Sequence, residues 1–342
     1  MGYFLTREAF DGVVAELGKR FRIFAPVRKK GAGRFTDTDV ILYDTVRSGA
    51  EIVLDAKSDY AFKEALTPLS EVLFYFTEAN TQAASFDDRP LLIFARACDM
   101  HALQRMDQIY LCNGPEDPFY RRRRELVHFA LIGCSESFPN CFCVSMGTNV
   151  APEGWLFSVD SAPDGCACTV PDAGCAPLFA AAAAREIDTA PCHVTENEVR
   201  VCVPETVPAS VRTHSLWDEY TARCINCGRC NFVCPTCTCW SMQDISYTDN
   251  GNVGERRRVA ASCMVDGFTD VAGGGQYRRK NGERMRFKVL HKMLDYKQRK
   301  GYQMCVGCGR CDAICPEYIS FSACINKVNK AVQEEAAAKE VK

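Results

Sequence analysis

Two stretches of the chain repeat one spacing of thiols: Cys224, Cys227, Cys230 and Cys234 ahead of Pro235, and Cys305, Cys308, Cys311 and Cys315 ahead of Pro316. This is the spacing of a ligand run for two [4Fe–4S] clusters, in which three closely spaced thiolates cap three irons of one cubane. The fourth, before proline, reaches the other cluster. Crossed in this way, one cluster takes Cys224, Cys227, Cys230 and Cys315, and the other takes Cys305, Cys308, Cys311 and Cys234. Two-residue spacers let a loop wrap a compact group. Gly228 and Gly309 permit close approach or positive φ, and the prolines turn the chain away. Zinc also takes four thiolates, usually as two separated pairs, so a third cysteine at the same spacing, twice over, favours iron and sulfur.

A second constellation lies nearer the N-terminus. Cys98 with Asp99 follows one apolar run, Cys134 follows another, and Cys141 and Cys143 come shortly after. In a parallel β-α-β unit both strand ends open on one side of the sheet, where open α/β folds place their ligands. A third [4Fe–4S] cluster on Cys98, Cys134, Cys141 and Cys143 is expected there, with Asp99 as a substitute ligand; buried thiols or a zinc site are the alternatives. Cys237, Cys239 and Cys263 fall outside both C-terminal runs, and their role stays open between a further site and packing beside the clusters. Cys166, Cys168, Cys175, Cys192 and Cys202 lie in a weakly patterned region and read as unligated thiols. No catalytic residue is assigned: the histidines are scattered, and Gly31-Ala32-Gly33-Arg34-Phe35 does not match a dinucleotide-binding turn.

The elements that must position these groups read as α+β. A chain of 342 residues suits two cores. Apolar residues at Leu5, Phe10, Val13, Val14 and Leu17 predict an amphipathic helix to Arg20, followed by a strand over Phe21–Pro26. Pro90–Ala97 and Val127–Gly133 read as buried strands around a helix over His101–Leu111. The pattern then weakens, apart from an alanine-rich helix around Leu178–Glu186 and a hairpin near Val199–Val203. The boundary is set near Ser210, giving an N-terminal α/β domain with a small mixed or parallel sheet over residues 1–209. A mainly helical, dicluster ferredoxin-like domain follows over residues 210–342, with helices over Val289–Lys297 and Phe321–Ala337. About seventy residues separate Pro235 from Cys305, which favours a helical ferredoxin with an insertion over a β-α-β-β-α-β one.

The formal net charge of −2 gives no broad attraction to nucleic acid or anionic lipid. The start lacks the basic flank and apolar core of a signal peptide, and apolar runs such as Leu91–Ala95 and Ala180–Ala184 are far short of a membrane span. A cytoplasmic protein is expected, with no nucleic-acid and no membrane partner. In a reducing cytosol, 22 cysteines point to metal ligation before disulfides. The basic stretch Tyr277–Arg286 reads as a solvated face or a dock for an acidic partner.

Over essentially its full length the chain resembles the iron–sulfur electron-transfer component of anaerobic sulfite reductases. The segments carrying the resemblance are Phe94–Asp99, Asn140–Asn149, Cys234–Cys239, Ala261–Val265 and Cys305–Cys311. The beta subunit of cytosolic sulfhydrogenases is similar and shares several of them. The resemblance implies an electron-transfer subunit without an active site of its own. Its partners would be a flavin subunit that oxidises NADH and a sirohaem subunit that reduces sulfite to hydrogen sulfide. The stretch from Cys166 to Cys202 takes no part in the resemblance.

Overall fold

The computed structural model describes residues 1–34 and 37–340. Phe35 of the glycine-rich stretch and the last two residues of the expected C-terminal domain lie outside the described residues. The chain forms two compact units, each assembled from separate segments. The first comprises Met1–Phe138, Asn149–Val194 and Trp240–Ala260, and the second Pro139–Thr148, Thr195–Cys239 and Ala261–Lys342.

In the first unit, strand β1 (Gly2–Leu5) leads into helix α1 (Arg7–Arg20). Thr6 caps α1 by accepting the Ala9 N–H at 3.2 Å. Its buried residues are Phe10, Val13, Val14 and Leu17, the stripe read from the sequence. Strands β2 (Arg22–Lys29), β3 (Val40–Val46), β4 (Ser70–Phe76), β5 (Thr81–Ala83) and β6 (Leu91–Ala95) follow. Next come helices α2 (Ala97–Tyr110) and α3 (Pro118–Arg124), strands β7 (Val127–Ile132), β8 (Phe157–Ala162) and β9 (Gly165–Thr169), helix α4 (Ala176–Ala182) and strand β10 (Arg185–Ile187).

The main sheet has eight strands in the order β10-β1-β9-β8-β7-β6-β2-β3, larger than the small sheet expected. Its centre, β8-β7-β6-β2, is parallel, and the remaining pairs are antiparallel. All five residues of β6 are buried, as a parallel strand covered on both faces requires. On one side of this centre the flanking strands β10, β1 and β9 have only three, four and five residues, too few for a period to be read. The expected alanine-rich helix stops at Ala182, and Val199–Val203 forms no hairpin.

A second sheet, β11-β12-β4-β5, corrects the mainly helical reading of the C-terminal part. Strands β11 (Trp240–Ser246) and β12 (Gly254–Ala260) form an antiparallel hairpin that pairs with β4 in the first unit. The hairpin escaped detection because its inward-facing residues are charged. Arg258 on β12 donates to Glu71 on β4 at 2.8 Å and to Asp117 at 2.5 Å, and Arg123 also pairs with Glu71. The Arg258 and Glu71 side chains are only 6% and 5% exposed. Removing one partner of a buried pair costs about 3–5 kcal/mol, because it strands the other charge. With Arg123 still beside Glu71, Arg258→Ala should fall near the lower end, about 3 kcal/mol. The check is amide exchange in β4 and β12, which should lose protection by roughly a hundredfold in rate.

The second unit carries helices α5 (Ala209–Arg212), α6 (Asp218–Arg223), α7 (Arg229–Phe232), α8 (Asn281–Leu290), α9 (Tyr296–Lys300), α10 (Arg310–Ile314) and α11 (Phe321–Glu340), and a small antiparallel pair of β13 (Asp270–Val271) and β14 (Gly275–Gln276). A π-helical turn over His291–Asp295 joins α8 to α9, so the predicted helix over Val289–Lys297 is the middle of a longer one. Trp217, Tyr220, Met285, Val289, Phe321 and Ile325 belong to its core. Among the described residues, no helix is long and apolar enough to cross a membrane.

Candidate metal centres

Each thiol loop enters the left-handed region twice. In the first loop Asn226 has φ 59° and Gly228 φ 70°; in the second, Gly307 has φ 62° and Gly309 φ 68°. Glycine and asparagine adopt this conformation at least cost, which is why they alternate with the cysteines. Short helices follow, α7 carrying Cys230 and α10 carrying Cys311, and Cys234 and Cys315 lie just beyond.

The loops are held by their surroundings. Buried Arg284 on α8 donates to Asn226 Oδ1 at 3.1 Å and to Asn281 Oδ1 at 2.8 Å, and it pairs with Asp266. Asn281 in turn donates to the Cys224 carbonyl. The second loop presses against the backbone of residues 140–143: the Phe142 N–H donates to the Gly307 carbonyl at 2.8 Å, and a Cβ on Gly309 would lie 2.2 Å from the Asn140 carbonyl oxygen. Gly309→Ala should therefore lose at least about 2 kcal/mol through left-handed strain plus a backbone clash. Its thermal unfolding under anaerobic conditions, with iron content measured in parallel, tests this.

Cys224, Cys227, Cys230 and Cys315 line one cavity together with Cys311. The other walls include Tyr220, Met264, Met285, Ile319 and Phe321. Four thiols directed into an apolar recess suit a cubane, whose irons each take one thiolate. The second set, Cys234, Cys305, Cys308 and Cys311, is linked by mutual electrostatic influence. Burial pushes the Cys305 thiol up to about 12, against the lowering effects of the Gly307 N–H and Lys292. Burial likewise raises Cys311 well above the ordinary thiol range. Such thiols hold their protons until a metal displaces them. Among the described residues, no three Cys, His, Asp or Glu side chains converge on a point that could hold a single metal ion. A cubane needs no such convergence. Cys227 is exposed, Cys308 is buried and the other six thiols are half-buried, so the more enclosed ligand belongs to the second set.

Two lysines that the sequence reading did not single out complete the site. Lys288 on α8 lines the cavity of the first set, and Lys292 in the π-turn donates to Cys234 Sγ at 3.5 Å and Thr236 Oγ1 at 2.7 Å. Burial alone would lower both ammonium groups. In their thiolate form, Cys230, Cys311 and Cys237 around Lys288, and Cys234, Cys237 and Cys305 around Lys292, reverse this and hold both above the ordinary lysine value. Their sequence signal was basic residues at helical spacing among apolar ones: Met285, Lys288, Val289, Lys292, Met293. Cys239 donates to Cys263, which also accepts from Asn231 Nδ2 at 3.1 Å; these bonds pull the Cys263 thiol below the ordinary thiol range despite burial.

The expected N-terminal set is divided between the units. Cys98 and Cys134 belong to the first, where β6 and β7 are parallel neighbours. Cys98 and Asp99 lie in the first turn of α2, not at a strand end, and Asp99 accepts from the Tyr43 hydroxyl at 3.4 Å. Cys134 follows β7, its sulfur 3.3 Å from Arg96 Nη1. Cys141 and Cys143 belong to the second unit, with Cys141 Sγ 3.6 Å from the Cys308 carbonyl and Cys143 Sγ 3.6 Å from the Asn197 side chain. Cys166 and Cys168 are buried on β9, a strand within the region read as weakly patterned, and Cys175 is buried at the start of α4. Cys192 and Cys202 are exposed.

Residues 223–319 match the family model of the 4Fe-4S dicluster domain. Along 96% of its length the chain is similar to sulfhydrogenase 2 subunit beta of Pyrococcus furiosus, at 27% identity over 347 aligned positions that cover 98% of that protein. No solved structure matches the chain. The chain thus carries a 4Fe-4S dicluster domain near its C-terminus and is related, over nearly its whole length, to a sulfhydrogenase beta subunit.

Proposed function

We propose that the chain is the electron-transfer subunit of a cytoplasmic, hetero-oligomeric oxidoreductase of the sulfhydrogenase type. The observation that carries this reading is the pair of thiol loops inside a dicluster domain, in a chain similar end to end to a sulfhydrogenase beta subunit. The clusters, when bound, would accept and release single electrons. The chain's own residues hold the thiolates in two loops, wall them with apolar side chains, and place two buried ammonium groups beside the sulfurs. No acid or base is needed for that work, and catalysis would belong to the partner subunits.

The segments shared with the electron-transfer component of anaerobic sulfite reductases support a second reading, in which a flavin subunit donates electrons and a sirohaem subunit receives them. The full-length relative found favours the sulfhydrogenase alternative over it. Anaerobic purification of the native complex separates them: a hydrogenase catalytic subunit in the complex is the expected result, and a sirohaem subunit would overturn it in favour of sulfite reduction.

The third cluster, on Cys98, Cys134, Cys141 and Cys143, stays a proposal grounded in the sequence. It expects about twelve irons per full-length chain where the C-terminal runs alone would bind about eight. Serine at any of the four should abolish or convert one cluster. Unchanged iron in all four variants would rule the site out.

A further inference from the structure

We propose that the buried ammonium groups of Lys288 and Lys292 set the reduction potentials of the two C-terminal centres, Lys292 acting on the one ligated by Cys234, Cys305, Cys308 and Cys311, and Lys288 on both. The inference rests on the reading that those eight thiols bind two clusters. Both lysines are only 3% exposed. An ammonium taken out of water is several kcal/mol unfavourable unless it is compensated, and buried lysine is accordingly paired with an acid in most proteins. Among the described residues, neither lysine forms an ion pair with a carboxylate. What faces them is sulfur and, at Lys292, one hydroxyl. Lys292 Nζ lies 2.7 Å from Thr236 Oγ1 and 3.5 Å from Cys234 Sγ, and Lys288 shares the cavity of Cys224, Cys227, Cys230, Cys311 and Cys315, its Nζ 5.2 Å from the Phe321 ring centre.

Reduction adds one electron to a centre already carrying thiolate charge, with no bond made or broken at the lysine and no proton taken up. A fixed positive charge in a low-dielectric interior stabilises the more negative, reduced form, so the potential rises. Hydrogen bonds to ligand sulfur act in the same direction. Two nearby acids oppose this: Glu317 lines the cavity it shares with Lys288, and Asp312 lies with Oδ1 3.4 Å from Cys311 Sγ. Its carboxylate is already occupied by the Ser320 and Ser322 hydroxyls and the Phe321 N–H.

The test is an EPR-monitored potentiometric titration of the full-length protein, purified anaerobically, with the two centres assigned from the Cys315→Ser variant. Lys292→Met should lower the reduction equilibrium constant of the centre ligated by Cys234, Cys305, Cys308 and Cys311 at least tenfold, about 59 mV for a one-electron couple, and leave the other unmoved. Lys288→Met should lower both. Lys292→Arg, which keeps the charge, should stay close to the parent. Where a methionine variant loses iron, Lys292→Gln and Lys288→Gln decide instead, since glutamine keeps a donor but not the charge. Variants with full iron and unshifted potentials would overturn the proposal, as would equal shifts of both centres in Lys292→Met. A parent protein that binds fewer than about eight irons would instead overturn the two-cluster reading on which it stands.

Discussion

Cys315→Ser is expected to remove one cluster, about four irons, from the full-length protein while the centre formed with Cys305, Cys308 and Cys311 survives. Cys315 lies in the second loop, about ninety residues beyond Cys224, yet it lines the cavity of Cys224, Cys227 and Cys230. Serine is a weak ligand for iron in this setting; of the other possible donors lining the cavity, Cys311 is used by the other centre and Glu317 offers oxygen in place of sulfur. Iron analysis with EPR of the parent and variant reads the outcome. Loss of the second centre with the first intact would show that each loop ligates its own cluster without crossing. Full iron with both signals unchanged would remove Cys315 from the ligand set.

Stripping the iron should unfold the second unit and spare the core of the first. Helices α6, α7 and α10 have six, four and five residues. Isolated helices so short are not stable in water, so these depend on the loops they flank. Without metal, the buried thiols of Cys305 and Cys311 take up protons, because burial holds both far above neutral pH. Lys288 then loses the compensating charge of Cys311 and Lys292 that of Cys305, and an uncompensated buried charge costs about 3–5 kcal/mol. A unit of this size cannot absorb two such losses and remain folded. The first unit keeps its eight-stranded sheet and the core around Phe94, Ile132 and Phe157. After anaerobic chelation, hydrogen exchange should lose protection over residues 218–235 and 305–320, while β6, β7 and α1 stay protected. Retained protection in the thiol loops would mean that the second unit folds without its clusters.

The parts of the molecule legible in the sequence are those whose geometry is set within a few residues. The stripe of Phe10, Val13, Val14 and Leu17 marks α1, and the apolar runs at Leu91–Ala95 and Val127–Ile132 mark two parallel strands. Each period is a local property of the backbone, and burial on both faces shows as an unbroken run. The thiol loops are legible for the same reason: a two-residue spacer and a glycine or asparagine in left-handed conformation shape the loop from inside.

What tertiary structure alone decided depends on partners distant in the chain. The hairpin of β11 and β12 pairs with β4 through Arg258 and Glu71, whose charges suggest a surface until the opposing strand is in place. The two units interleave three segments each, which no composition shift along the chain announces. Lys288 and Lys292 carry no signal in the sequence beyond helical spacing; only the packing of α8 and the π-turn beside the thiols turns them inward onto sulfur. Spacing therefore named the candidate ligands, because a cubane needs thiols at short fixed intervals. The charges around them became visible only in the folded chain, because burial is a property of neighbours and not of sequence position.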